Sequence, residues 1–167
     1  MGRLITAISD ASFLPDGRAG FAFYLIGAGI PGVYYSGRFR TPVSGSNHAE
    51  LLAAVNAAHK AVADAQEAYD AVLLQSDSLY ALQVLASYFG GRSVLGAAGR
   101  NATLHPFSRA RRAERYEKEA AATLRKVLRP DQLMLRHVPG HGRDGGTSRG
   151  YVNKQCDKMA RAAAKEA

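Results

Sequence analysis

Four acidic residues stand where a fold could gather them. Asp10 closes the β-rich run LITAIS, and Asp77 closes the apolar run AVLLQS. Glu50 falls in the first turn of a helical segment beginning SNHAELL, and Asp157 falls near the start of the closing helix. Carboxylates converging on one sheet edge would repel one another unless cations neutralised them. Ligand sets made only of oxygen select hard ions such as Mg²⁺ or Mn²⁺. Two such ions about 3.5 to 4 Å apart form the clamp for in-line phosphodiester displacement, one activating water and the other stabilising the leaving 3′ oxygen. Each acid also has an ordinary reading. Asp77, in SDS, can serve as a helix N-cap, Glu50 can complement a helix dipole, and Asp157 can be a solvated helix residue. The joint placement at two strand ends and two helix starts is what favours a site. A second chemical feature is RHVPGHGRDGG, residues 136–146, which sets histidines among glycines directly before the helix that carries Asp157 beside Cys156. An imidazole titrating near neutrality suits proton transfer.

The elements that must position these groups are legible from period and punctuation. LITAIS, FAFYLIGAG and GVYYSGRF are β-branched and aromatic runs separated by turn signals, which predicts a three-stranded antiparallel meander. The period then changes. Apolar residues at 51, 52, 55, 58 and 62 predict a helix from about 47 to 66, with Ser46 or Asn47 as N-cap. AVLLQS reads as a buried parallel strand, and SLYALQVLASYF as an amphipathic helix stopping at Gly90 and Gly91. Residues 92–108 read as an exposed excursion, RARRAERYEKEAAATLRKVLR as a helix ending before Pro130, QLMLRHV as a fifth strand, and a last helix starts near Tyr151. The order β-β-β-α-β-α-α-β-α predicts a mixed α/β sheet flanked by helices, and in open α/β sheets sites gather at the carboxyl ends of strands.

The bulk numbers bound the possibilities. A chain of 167 residues suits one domain, 1–167. No apolar run approaches the roughly 20 residues of a membrane helix, so no membrane partner is expected. The N-terminus lacks the apolar core of a secretory signal, and Cys156 is the sole cysteine, which suits a reducing cytoplasm. A net charge of +8 biases the chain toward polyanions, nucleic acid first. A monomer is the default expectation.

Taken in order, ISDAS, NHAELLAA, QSDSLYAL, HVPGH and NKQCDKMARAAA resemble the motifs of type 1, bacterial-like ribonuclease H. That family has a strand ending in Asp-Gly-Ser, an Asn-x-x-Glu-Leu helix start, a strand ending in Asp-Ser, and Val-x-Gly-His followed by Asn-x-x-Cys-Asp-x-x-Ala. The resemblance covers essentially the whole chain. It implies a ribonuclease H-like fold, with a five-stranded mixed sheet of three antiparallel and two parallel strands. It also implies an endonuclease that cuts the RNA strand of an RNA/DNA hybrid with two Mg²⁺ ions, for which Mn²⁺ can substitute, leaving a 3′-hydroxyl and a 5′-phosphate. Carried over, Asp10, Glu50, Asp77 and Asp157 would be metal ligands, with Asp10 bridging both ions. His141 would be the histidine that swings on its glycines toward the scissile phosphate. Ser12, Asn47 and Ser78 match polar positions that face the hybrid. His48, His59, His105 and His137 match no such role and read as structural.

The sequence also departs from the pattern. FLPDGRAG replaces a glycine-rich turn, and Leu79 stands where glutamine is common, which puts minor-groove contacts in doubt. The segment from His141 to Asp157 is longer than is usual in the bacterial form. The cations Arg92, Arg100, Arg109, Arg111, Arg112, Arg115 and Lys118 could grip phosphate, or could pair with neighbouring glutamates on one helix. Two alternatives stay open: a module that binds hybrid or RNA without cutting, and a nuclease of this fold acting on other nucleic acids.

Overall fold

A computed structural model describes residues 3–93, 104, 107, 108, 110–138 and 148–166. Strands β1 (Leu4–Phe13), β2 (Ala19–Gly27) and β3 (Ile30–Arg38) form the predicted antiparallel meander. The β2–β3 hairpin turns on Gly27, Ala28 and Gly29, all at positive φ. A side chain at Gly27 would run into the carbonyl of Leu4, so only glycine lets this turn close on β1. Helix α1 (Ser46–Asp64) crosses to β4 (Ala71–Ser76), which pairs in parallel with β1. Helix α2 (Leu79–Val84) continues into one wider π-turn, Leu85–Phe89, and ends at left-handed Gly90. Strand β5 (Arg92–Ser93), helix α3 (Arg115–Arg125), strand β6 (Leu133–His137) and helix α4 (Ser148–Lys165) follow.

Among the described residues the sheet has six strands in the order β3-β2-β1-β4-β6-β5, so three parallel strands join the meander where two were expected. The extra strand is the two-residue β5 against β6, inside the predicted excursion. Two residues are too few to show any period.

Period-2 alternation sorts the strands between two faces. On one face Ile5, Ala7, Phe23, Leu25, Val72, Leu74, Leu133 and Leu135 meet Leu51, Val55 and Ala58 of α1, together with Leu82 and Leu124. On the other, Ala22 meets Cys156 and Ala160 of α4. That approach is close because β2 has Gly20, where a Cβ would lie 2.5 Å from the Ala160 carbonyl and from the Ala164 amide.

Three boundaries differ from expectation. Helix α1 starts at Ser46 with Gly45 at its N-cap, so neither Ser46 nor Asn47 caps it. Helix α3 begins at Arg115 because the Glu117 side chain bonds the Glu114 amide and closes a capping box there. Helix α4 begins three residues ahead of Tyr151. No described helix is long and apolar enough to cross a membrane.

Candidate metal centre

The parallel pairing of β1 with β4 ends at Ser9 opposite Ser76. Asp10 is the next residue on β1 and Asp77 the next on β4, so both strands deliver an acid at the same level. Asp10 does not end its strand as expected. β1 runs on to Phe13 against β2, and Asp10 marks only the end of its parallel partnership. The turn presenting Asp77 is fixed from several sides. The Val138 amide donates to the Ser76 carbonyl (2.9 Å), and His137 Nε2 donates to the Asp77 carbonyl (3.2 Å). Ser78 donates its amide to Ser76 Oγ (3.0 Å), and its own hydroxyl caps α2 by accepting from the Ala81 amide (3.1 Å). The cap is therefore Ser78 and not Asp77, which removes the ordinary reading of that acid.

Glu50 is the fifth residue of α1, past the first turn, because the helix starts earlier than its lost side-chain cap implied. The ligand atoms of Asp10, Glu50 and Asp77 all lie within 4.8 Å of one another. Asp10 is buried, and the other two are half-buried. Asp10 Oδ1 accepts from the Ala11 amide at 2.9 Å. No described Arg or Lys forms an ion pair with Asp10 or Glu50.

Electrostatics follow directly. Burial first, then the neighbouring Asp77 and Asp157 charges, push the Asp10 carboxyl up to about 8. Burial, followed by the Asp10 and Asp77 charges, pushes Glu50 up to about 10. Without a cation Glu50 therefore keeps its proton and donates it toward Asp10, while its buried Oε2 has no hydrogen-bond partner among the described residues. Burial also raises the Cys156 thiol to about 12, with Asp10 adding to it, and that thiol lies 3.7 Å from the Ile8 carbonyl. Two acids held protonated beside a third, one of the two with an orphaned buried oxygen, fit a hard divalent cation: the ion would replace the protons and satisfy the orphan.

Asp157 is the tenth residue of α4, not near its start. Its charge reaches Asp10, yet it lies outside the group of three, and its Oδ1 accepts from Arg161 Nε at 3.2 Å, one turn along the helix. Ser12 lies two residues past Asp10 on β1, half-buried, and Asn47 is exposed as the second residue of α1. His141 lies outside the described residues, as do His105, Arg100, Arg109 and Arg143. His59 is exposed on α1.

The basic region divides. Arg111 is not a phosphate-gripping side chain, because its guanidinium makes two hydrogen bonds to buried Glu117 (3.0 and 2.8 Å) and packs over Phe107. Arg115 pairs with Glu119 one turn on, whereas Arg92, Arg112 and Lys118 stand exposed. Leu79 is half exposed on the surface after Asp77. Sequence reasoning missed the parts played by Ser76 and His137 in framing Asp77. The only signal for His137 was its place at a strand end.

The RNase H family model matches residues 5–165. No curated protein matches the chain significantly. Among solved structures, RNase H1 from the halophilic archaeon Halobacterium salinarum is 18% identical with a TM-score of 0.56, over 98% of this chain and 99% of that one. LC11-RNase H1 in complex with an RNA/DNA hybrid is 16% identical, TM-score 0.59, over 96% of each chain. The N-terminal RNase H domain of a Mycobacterium tuberculosis protein is 14% identical, TM-score 0.57, over 97% of this chain and 94% of that one. Identities this low carry the fold alone. The family match spans nearly the whole chain and includes Asp10, Glu50 and Asp77, and on that ground the protein belongs to the RNase H family.

Proposed function

We propose that this protein hydrolyses the RNA strand of RNA/DNA hybrids by two-metal-ion catalysis, leaving 3′-hydroxyl and 5′-phosphate ends. The observation that carries the reading is the cluster of Asp10, Glu50 and Asp77, with no described Arg or Lys in an ion pair with Asp10 or Glu50. Asp10, within 4.8 Å of both Glu50 and Asp77, would serve as the ligand shared by the two ions. Asp157, whose charge already acts on Asp10, completes the set as the fourth ligand once its carboxylate turns from Arg161. Two Mg²⁺ ions, or Mn²⁺ in their place, supply charge neutralisation and activation of the attacking water. Glu50 also accepts from the 2′-hydroxyl, the group that distinguishes RNA from DNA. Ser12, Asn47 and Ser78 hold the hybrid. Although the Ser78 hydroxyl already accepts the α2 cap, its proton remains to be donated. His141 carries the proton to the leaving oxygen and assists product release.

The RNA/DNA hybrid bound by LC11-RNase H1 supports the substrate class. The buried free thiol of Cys156 suits a reducing compartment, and we place the protein in the cytoplasm as a monomer. Labelled RNA/DNA hybrid, RNA duplex and DNA duplex of one sequence, each with Mg²⁺ or with chelator, test the proposal. Cutting confined to the RNA strand of the hybrid and requiring the metal is expected. Equal cutting of the duplexes, or binding of hybrid without cutting, would overturn it in favour of one of the two alternatives.

A further inference from the structure

Helix α1 begins without the usual support. Its N-cap is Gly45, which has no side chain to satisfy the free amides of the first turn. His48, the third residue of the helix, reaches back to the residue before the cap. Its Nδ1 accepts from the Ser44 amide at 3.0 Å, which places the ring proton on Nε2. The imidazole face stacks on the Tyr116 ring at 4.2 Å between centroids and 29° between planes.

Tyr116, the second residue of α3, is itself fixed. Tyr80 donates its hydroxyl proton to Glu117, so the 2.8 Å contact between Tyr80 and Tyr116 must be donated by Tyr116. Glu117 is fully buried and is held by Arg111 and by the Glu114 amide at 2.7 Å. Tyr80 is the second residue of α2, three after Asp77. The turn that presents Glu50 and the turn that follows Asp77 are thus both tied to one aromatic side chain.

We infer that Tyr116 is a positioning residue for the acid cluster: its ring, through His48, sets the α1 turn that carries Glu50, and its hydroxyl ties that turn to the one after Asp77. The inference rests on the cluster being the metal site.

The test uses the full chain without nucleic acid. Mn²⁺ affinity is measured by electron paramagnetic resonance, and amide exchange is followed at Ala49, Glu50 and Leu51. Tyr116→Leu is expected to weaken Mn²⁺ binding about tenfold, the size typical of groups that orient ligands, and to speed that exchange. Tyr116→Phe, which keeps the stack, should recover most of the affinity. His48→Leu should weaken binding in the same direction, and the double variant should lose clearly less than the sum of the two, because the stack is the contact they share. If Tyr116→Leu does not fold, His48→Leu carries the same prediction. Unchanged affinity and exchange in a folded variant, or fully additive losses in the double variant, would overturn the inference. A wild type that binds no Mn²⁺ would defeat the metal-site reading instead, and the exchange rates would still decide the role of Tyr116.

Discussion

Stripping the acid cluster of metal should make it a liability that grows with pH. In the folded chain Asp10 keeps its proton to about 8, whereas its ordinary value is 3.8. The folded state therefore binds a proton that the unfolded chain releases, and stability is greatest below about pH 4 and is lost as pH rises toward 8. Ionising one such buried carboxyl costs on the order of 5 kcal/mol by its displaced titration. Proton sharing with Glu50 and water entry reduce this to about 2 to 3 kcal/mol. Asp10→Asn removes the charge and keeps an acceptor for the Ala11 amide. In chelator at about pH 8 it should melt roughly 5 to 10 °C above the wild type. At about pH 4.5 the difference should nearly vanish, and excess Mg²⁺ at the higher pH should raise the wild type toward the variant. Calorimetry or circular dichroism melts read all three conditions. A variant no more stable than wild type at the higher pH, or a gap that does not depend on pH, would refute the electrostatic reasoning.

Other substitutions probe the frame around the cluster. Gly20→Ala drives a methyl into the backbone of α4 at Ala160 and Ala164 and should cost about 2 to 3 kcal/mol in urea unfolding. Arg111→Ala strands the buried Glu117 carboxylate and should cost about 3 kcal/mol, with the loss read by the same method. Ser78→Ala removes the α2 cap and should cost about 1 kcal/mol; a larger loss of Mg²⁺ affinity in titration calorimetry would show that the cap also orients Asp77.

Much of this arrangement was legible in the sequence, for particular reasons. LITAIS and AVLLQS betray adjacent strands because alternation and continuous burial are local signals, and both end just before an acid that the sheet register brings level. The helices were harder to place. The period of SNHAELL locates α1 but not its first residue, since Gly45 offers no capping side chain to read, and Glu50 falls one residue deeper in the helix than a start at about 47 implies. Helix α3 is shorter than its composition suggests because Glu117 turns back to bond its own N-terminus and Arg111. Asp157 sits mid-helix because α4 begins at Ser148, ahead of Gly150, a weak helix former that reads as a stop. The stack of Tyr116 on His48 leaves no trace in either local pattern, as it joins two helices 68 residues apart and exists only once the chain is packed.

Under the proposed function the carboxylates hold catalytic metal, and none of them serves only as scaffold. Single-turnover cleavage of a labelled hybrid by wild type and by Asp10→Asn, beside hybrid affinity measured in Ca²⁺, addresses this most directly. Loss of cutting by about a thousandfold or more, with hybrid affinity and folding retained, is the predicted result. Cutting by Asp10→Asn at the wild-type rate would contradict it.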